Sequence, residues 1–200
     1  FKNAMAVMKD GAPFYIWYAA GESRSFFNAQ KDSGLKLSEV LQWVKNVFTL
    51  GHYDYHWATE SCLYGWKEGA AHYFKEEYNH PTVIESAQDI SKMSKKEMQE
   101  LLEFLYSNQF PKTIIHENKP LKNDLHPTMK PIRMCAEMIR RSTAKGETVL
   151  DLFGGSGSTM IACEQNGRKC YMMEYDPKYC DVIIERWEAL TGKKAKKVPE

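Results

Sequence analysis

The sequence of 200 residues predicts an α/β protein built on a doubly wound, Rossmann-like sheet with a nucleotide-type ligand site. Three observations predict it. Apolar runs of strand length alternate with helical patterns along most of the chain. One run, Thr148 to Phe153, breaks into the cluster Gly154-Gly155-Ser156-Gly157. Another, Lys169 to Met173, closes on the acidic Glu174, about 20 residues beyond the glycines.

The elements follow from local spacing. Phe1, Ala4, Met5 and Met8 recur at i, i+3, i+4 and i+7, one apolar helical face with no capping residue ahead of it. Phe14 to Ala19 reads as a strand bounded by Gly11-Ala12-Pro13 and Gly21, Ser23 to Lys31 as a helix, and Val40 to Val47 and Glu60 to Trp66 as strands. Residues 75–124 turn polar and lysine-rich; within them Ser94-Lys95-Lys96-Glu97 is a capping box that launches a helix over Met98 to Ser107, with Leu101, Leu102 and Leu105 on one face. Ile132 to Arg141 has apolar positions at helical spacing. Thr148 to Phe153 and Lys169 to Glu174 are strands flanking the helix Ser158 to Asn166, and Asp181 to Leu190 is a helix stopped by Gly192.

Which ligand the glycine turn takes can be argued from what is missing. A dinucleotide fingerprint places a third glycine where the helix packs on the strand, and this chain has the bulky Met160 there. No Gly-Lys-Ser/Thr follows at P-loop spacing. Asp151, just before the turn, would repel a pyrophosphate and suit a cationic amino group. Glu174 lies where an acidic side chain accepts hydrogen bonds from ribose hydroxyls. S-adenosylmethionine, with adenosine, a positively charged amino acid end and no phosphate, is the cofactor this pattern favours. The plain alternative is an ordinary strand-to-helix turn with a surface glutamate.

Composition narrows the class further. The net charge is +1, no stretch of 18 apolar residues occurs, and no signal peptide is visible, so a soluble cytoplasmic protein with modest nonspecific affinity for nucleic acid is expected. The five cysteines show no Cys-x-x-Cys spacing, which argues for reduced, packed thiols. His52 and His56 fall in a loop without a third ligand nearby, and no metal site is expected. Tyr53, Tyr55, Trp57 and Trp66 are placed either in a core or to stack on bases.

The run His126-Pro127-Thr128-Met129-Lys130-Pro131, then Asp151-Leu152-Phe153-Gly154-Gly155-Ser156-Gly157-Ser158-Thr159, then Glu174-Tyr175-Asp176-Pro177-Lys178-Tyr179 resembles the end of the amino-methylating DNA methyltransferases of the β arrangement. Upstream, Leu41 to Asn46 and Asp54 to Lys67 resemble the strand and loop that this family sets beside the target base. The resemblance implies a circularly permuted methyltransferase fold, S-adenosyl-L-methionine as cofactor, double-stranded DNA as partner, and methyl transfer to adenine N6 ahead of cytosine N4 by a bacterial or phage enzyme. It implies cofactor contacts at His126, Thr128, Lys130, Pro131, Asp151, Phe153, Gly155, Gly157, Ser158, Thr159, Glu174 and Asp176. Residues 75–124 become a target-recognition region inserted in a single domain, with Tyr55, Trp57, Lys95 and Lys96 as candidate DNA contacts.

One departure from the family pattern matters for the chemistry. Neither Asp-Pro-Pro-Tyr nor Ser-Pro-Pro-Tyr/Trp occurs in the 200 residues; the one Asp-Pro, Asp176-Pro177, belongs to the ribose-side motif. An exocyclic amine conjugated to its ring is a poor nucleophile, so an acceptor must hold its N–H while an aromatic ring stacks on the extruded base. The expectation is therefore a fragment that lacks the tetrapeptide and its central strand, begins inside the natural gene product, and alone transfers methyl groups barely or not at all. A catalytically inactive cofactor- or DNA-binding remnant, or half of a split enzyme, is the alternative.

Overall fold

A computed structural model describes residues 1–49, 54, 56–75, 94–96, 114–116 and 129–198, with main chain alone at 46–49 and 114–116. The chain divides into one unit formed by Phe1–Lys75 with Ile114–Glu200 and a second, Glu76–Thr113. The expected helix Met98 to Ser107 lies outside the described residues.

The first unit opens with helix α1 (Lys2–Val7), strand β1 (Pro13–Tyr18), a 3-10 turn over Ala20–Glu22 and helix α2 (Ser23–Asp32). Strands β2 (Lys36–Thr49) and β3 (Trp57–Trp66) form an antiparallel pair, and β4 (Ile114–His116) lies parallel to β2. The sheet order is β1-β3-β2-β4. Helix α3 (Ile132–Ser142) leads into β5 (Thr148–Asp151), helix α4 (Ser158–Asn166), β6 (Lys169–Met172) and helix α5 (Pro177–Thr191). β5 and β6 pair in parallel as a separate two-stranded sheet.

Alternation along β1 sorts the layers, because successive side chains on a strand point to opposite faces. Phe14, Ile16 and Tyr18 pack with Leu35, Leu63, Met5, Met8, Phe26 and Phe27, so α1 and α2 cover one face of the four-stranded sheet. Tyr15 and Trp17 turn to the other face, where Trp43 packs against Met134 and Met138 of α3. The opposite side of α3 places Ala136 and Ile139 against Ala162 and Cys163 of α4, beside Val149 of β5 and Cys170 of β6. One helix therefore serves both sheets. Trp43 is 1% exposed, and removing its ring would cost about 3–5 kcal/mol. Strand β2 comes so close to β3 that a Cβ on Gly65 would sit 1.9 Å from the Lys36 carbonyl oxygen.

The α/β layering expected from the sequence is present, with helices on both faces of the four-stranded sheet, but the sheet is not all parallel: β3 runs against both neighbours, and among the described strands β5 and β6 pair apart from the other four. Strand ends moved where polar groups intervene. β5 stops at Asp151 and not Phe153 because the Asp151 carboxylate accepts the Phe153 N–H at 3.0 Å. α5 starts at Pro177 and not Asp181 because Asp176 caps it, accepting the Lys178 N–H at 2.9 Å, with proline at the first turn. β4 escaped the sequence reading since three residues carry no period. All five cysteines are free thiols. Among the described residues no helix is long and apolar enough to cross a membrane, and no group of three or more His, Cys, Asp or Glu is placed to hold a metal.

Candidate functional site

The turn between β5 and α4 is built by glycines at positions that reject side chains. Gly155 and Gly157 have φ of 54° and 78°, the left-handed region open to glycine at little cost. A Cβ on Gly154 would lie 2.6 Å from the Met172 sulfur, and one on Gly157 3.0 Å from Ile183. The turn thus rests directly on β6 and α5. The Gly157 N–H donates to the Gly154 carbonyl at 2.8 Å, and Gly157 then caps α4. Arg186 of α5 donates to the Ser156 carbonyl from below, and burial pulls its guanidinium below the usual arginine range.

Glu174 binds across this turn. Its Oε2 accepts the Gly155 N–H at 2.6 Å and its Oε1 accepts the Asp176 N–H at 3.0 Å. The carboxylate therefore clamps the glycine turn to the start of α5. Asp151, half-buried, sits at the base of the same turn. The aromatic rings of Phe153 and Tyr175 stand out from it, 84% and 101% exposed. Two carboxylates, two exposed rings and glycine main chain thus surround one turn, a set that disfavours phosphate and suits a neutral or cationic nucleoside. That donor set fits S-adenosylmethionine.

Ser158 begins α4, and its hydroxyl donates to the Lys130 carbonyl at 2.8 Å, so the segment before α3 is fixed to the turn. The Lys130 ammonium points elsewhere. It lies 2.9 Å from Glu60 Oε2, with the Trp17 and Trp43 ring centroids at 5.4 and 5.8 Å. Glu60 Oε1 is in turn 3.5 Å from Lys45 Nζ, whose side chain is 6% exposed.

The structure thus gathers Asp151, Phe153, Gly155, Gly157, Ser158, Glu174 and Asp176 at one turn. Pro131 is buried as the residue capping α3, and Thr159 stands near the Cys135 thiol, which burial pushes up to about 12. His126, Thr128 and Tyr55 lie outside the described residues. Trp57 begins β3 opposite Thr49 and is 48% exposed; Lys95 and Lys96 are helical and exposed. Sequence reasoning missed Arg186, Glu60 and Lys45. Arg186 carried a signal, a charged residue beside the apolar face of the last helix; Glu60 and Lys45 lie in stretches that resemble the family, but nothing in their spacing marks them as a pair.

The model of the DNA methylase family with N6 and N4 members matches residues 1–185. The type II methyltransferase M.BglI of Bacillus subtilis is 35% identical over 82 residues, 40% of this chain and 24% of that protein. M2.DpnII of Streptococcus pneumoniae is 34% identical over 64 residues, 32% of this chain and 24% of that protein. The matched stretches thus span about a quarter of these relatives' length. Among solved structures, the M1.HpyAVI–SAM complex superposes with a TM-score of 0.68 at 21% identity, covering 93% of this chain and 79% of that one. The cytosine-N4-specific PvuII DNA methyltransferase gives 0.68 at 16% identity, covering 93% and 67%. These two share the fold. With a family match running from its first residue to Glu185, the chain belongs to the N6/N4 DNA methylase family.

Proposed function

We propose that this chain supplies the cofactor-binding part of an S-adenosylmethionine-dependent DNA methyltransferase that modifies an exocyclic base amine, adenine N6 ahead of cytosine N4. The observation that carries the reading is the Glu174 carboxylate clamped on the Gly155 turn, with Asp151 at its base, in a chain of this family. When bound, the cofactor supplies an electrophilic methyl group. The protein's part is binding and orientation. Glu174, its oxygens held by main-chain N–H groups, is set to accept the ribose hydroxyls. Asp151 is set to attract the α-amino group, and the rings of Phe153 and Tyr175 to flank the adenine. The Gly154–Ser158 main chain carries the rest of the proposed contact, and the resemblance adds His126 and Thr128, which lie outside the described residues, and Pro131. Asp176 holds Glu174 through its main-chain N–H while its carboxylate caps α5.

Double-stranded DNA is the proposed partner, with residues 75–124, including Lys95 and Lys96, together with Tyr55 and the exposed Trp57 at the start of β3 as its contacts. The expected setting is the cytoplasm of a bacterium, or a prophage, alongside a restriction enzyme. The chain contains no Asp-Pro-Pro-Tyr, which favours a second reading for these 200 residues taken alone: a module that binds cofactor and transfers methyl groups barely or not at all. Calorimetric titration with S-adenosylmethionine and with NAD tests the first reading. Binding of the former and none of the latter is expected; equal binding of both overturns it. Tritiated methyl transfer to unmethylated DNA at an ordinary enzyme rate would overturn the second.

A further inference from the structure

Lys130 is tied at both ends. Its carbonyl accepts the hydroxyl of Ser158, the first residue of α4 and 5% exposed, so its main chain moves with the glycine turn. Its ammonium reaches the four-stranded sheet, where it is held by Glu60 of β3 and by the faces of Trp17 in β1 and Trp43 in β2. Trp17 lies one residue from the carboxyl end of β1, and Trp43 is the register partner of Glu60, so these groups stand toward the end of the sheet where α/β proteins bind ligands. The ammonium is satisfied there. A carboxylate at 2.9 Å and two ring faces replace its hydration, and its side chain is 23% exposed.

We infer that Lys130 is a positioning residue, a strut that fixes the glycine turn against the Trp17–Trp43–Glu60 wall of the other sheet and acts on the cofactor through that placement and not by contact. The inference rests on the cofactor reading above. Glu60 is the hub of the strut, since it also neutralises the nearly buried Lys45. Its loss leaves two desolvated ammonium groups facing one another, whereas loss of Lys130 leaves Glu60 still paired. Glu60→Gln should therefore be the more damaging change. Direct contact between Lys130 and the cofactor predicts the reverse order for cofactor affinity.

The test uses the full chain with Lys130→Met, Lys130→Arg, Glu60→Gln and the Lys130→Met/Glu60→Gln double variant, titrated calorimetrically with S-adenosylmethionine well below each variant's measured melting temperature. Lys130→Met should weaken binding about threefold and Glu60→Gln more, about tenfold. The double variant should be no weaker than the worse single one, and Lys130→Arg should restore affinity to within about twofold. Tryptophan emission, read in parallel, should shift in Lys130→Met as the charge leaves the Trp17 and Trp43 faces. A Lys130→Met loss with Glu60→Gln unchanged, or losses that multiply in the double variant, would overturn the strut. If the wild-type chain binds no cofactor, the cofactor reading fails. The strut is then judged on emission and on coupling in the unfolding free energies: no shift and no coupling reject it, both together support it.

Discussion

Replacing Glu174 by alanine is the sharpest test of how this site is held together. The carboxylate accepts two main-chain N–H groups, from Gly155 at 2.6 Å and Asp176 at 3.0 Å. Hydrogen bonds to a charged group contribute about 1.5–3 kcal/mol each, and the half-buried setting argues for the lower figure. Loss of both should cost about 3 kcal/mol. For a chain of this size each kcal/mol moves the melting temperature by about 2–4 °C, so Glu174→Ala should melt roughly 6–12 °C below wild type. Glu174→Gln keeps one amide acceptor but turns a donor toward the other N–H, and should recover no more than about half of that loss. Differential scanning calorimetry of the three proteins without cofactor reads the scaffold alone; titration with S-adenosylmethionine of the folded glutamine variant then reads the ribose contact separately. A Glu174→Ala protein that melts within about 1 °C of wild type would refute the clamp.

Further expectations follow from the same geometry. Gly157→Ala combines a φ of 78° with a Cβ 3.0 Å from Ile183, and should cost about 2–4 kcal/mol; unchanged urea unfolding would contradict it. Tyr15→Phe removes the 2.7 Å hydrogen bond to Ser142 between β1 and α3, and should cost about 1 kcal/mol by the same denaturant assay, with a stabilised variant as the contrary result. Burial raises the Cys62 and Cys135 thiols, the latter to about 12, and the Tyr64 phenol to about 12. Each group keeps its proton to higher pH folded than unfolded. Their contribution is therefore fully present below the ordinary thiol value of 9.0 and is lost as pH rises through about 12, at up to about 1.4 kcal/mol per pH unit for each group. Unfolding free energies that stay flat from pH 8 to 11 would exclude it.

The ligand turn and several helices were legible because they are local. Phe1, Ala4, Met5 and Met8 announce α1 by spacing alone, Ser158 to Asn166 sits between two glycine turns at the bounds observed, and Gly154 to Gly157 can be read as a turn wherever they fold. The strand partners were not legible. Nothing in Lys36 to Thr49 says that it pairs with Trp57–Trp66 on one side and with Ile114–His116 on the other, since register is fixed by side chains distant in sequence. The Lys130 ammonium was read with the cofactor because the resemblance nominated the whole run His126 to Pro131. Only the tertiary arrangement sets it on Glu60 and two tryptophan rings. Charges whose partners come from other elements leave no periodic trace.

The pairing of β4 with β2 sets an order in time. β5, α4 and β6 form a contiguous βαβ segment, and β2 and β3 are consecutive, so both can assemble from nearby chain. β4 can dock only after Ile114 returns to Gln42, closing a loop that includes all of Glu76–Thr113, and closure entropy must be overcome before its three residues gain any partner. β4 should therefore be the last strand to arrive and the first whose amides exchange on local opening. Until it arrives, the Gln42–Val44 stretch of β2 has no partner on that side among the described residues, and in that interval a newly made chain is open there to strand pairing with another copy of itself.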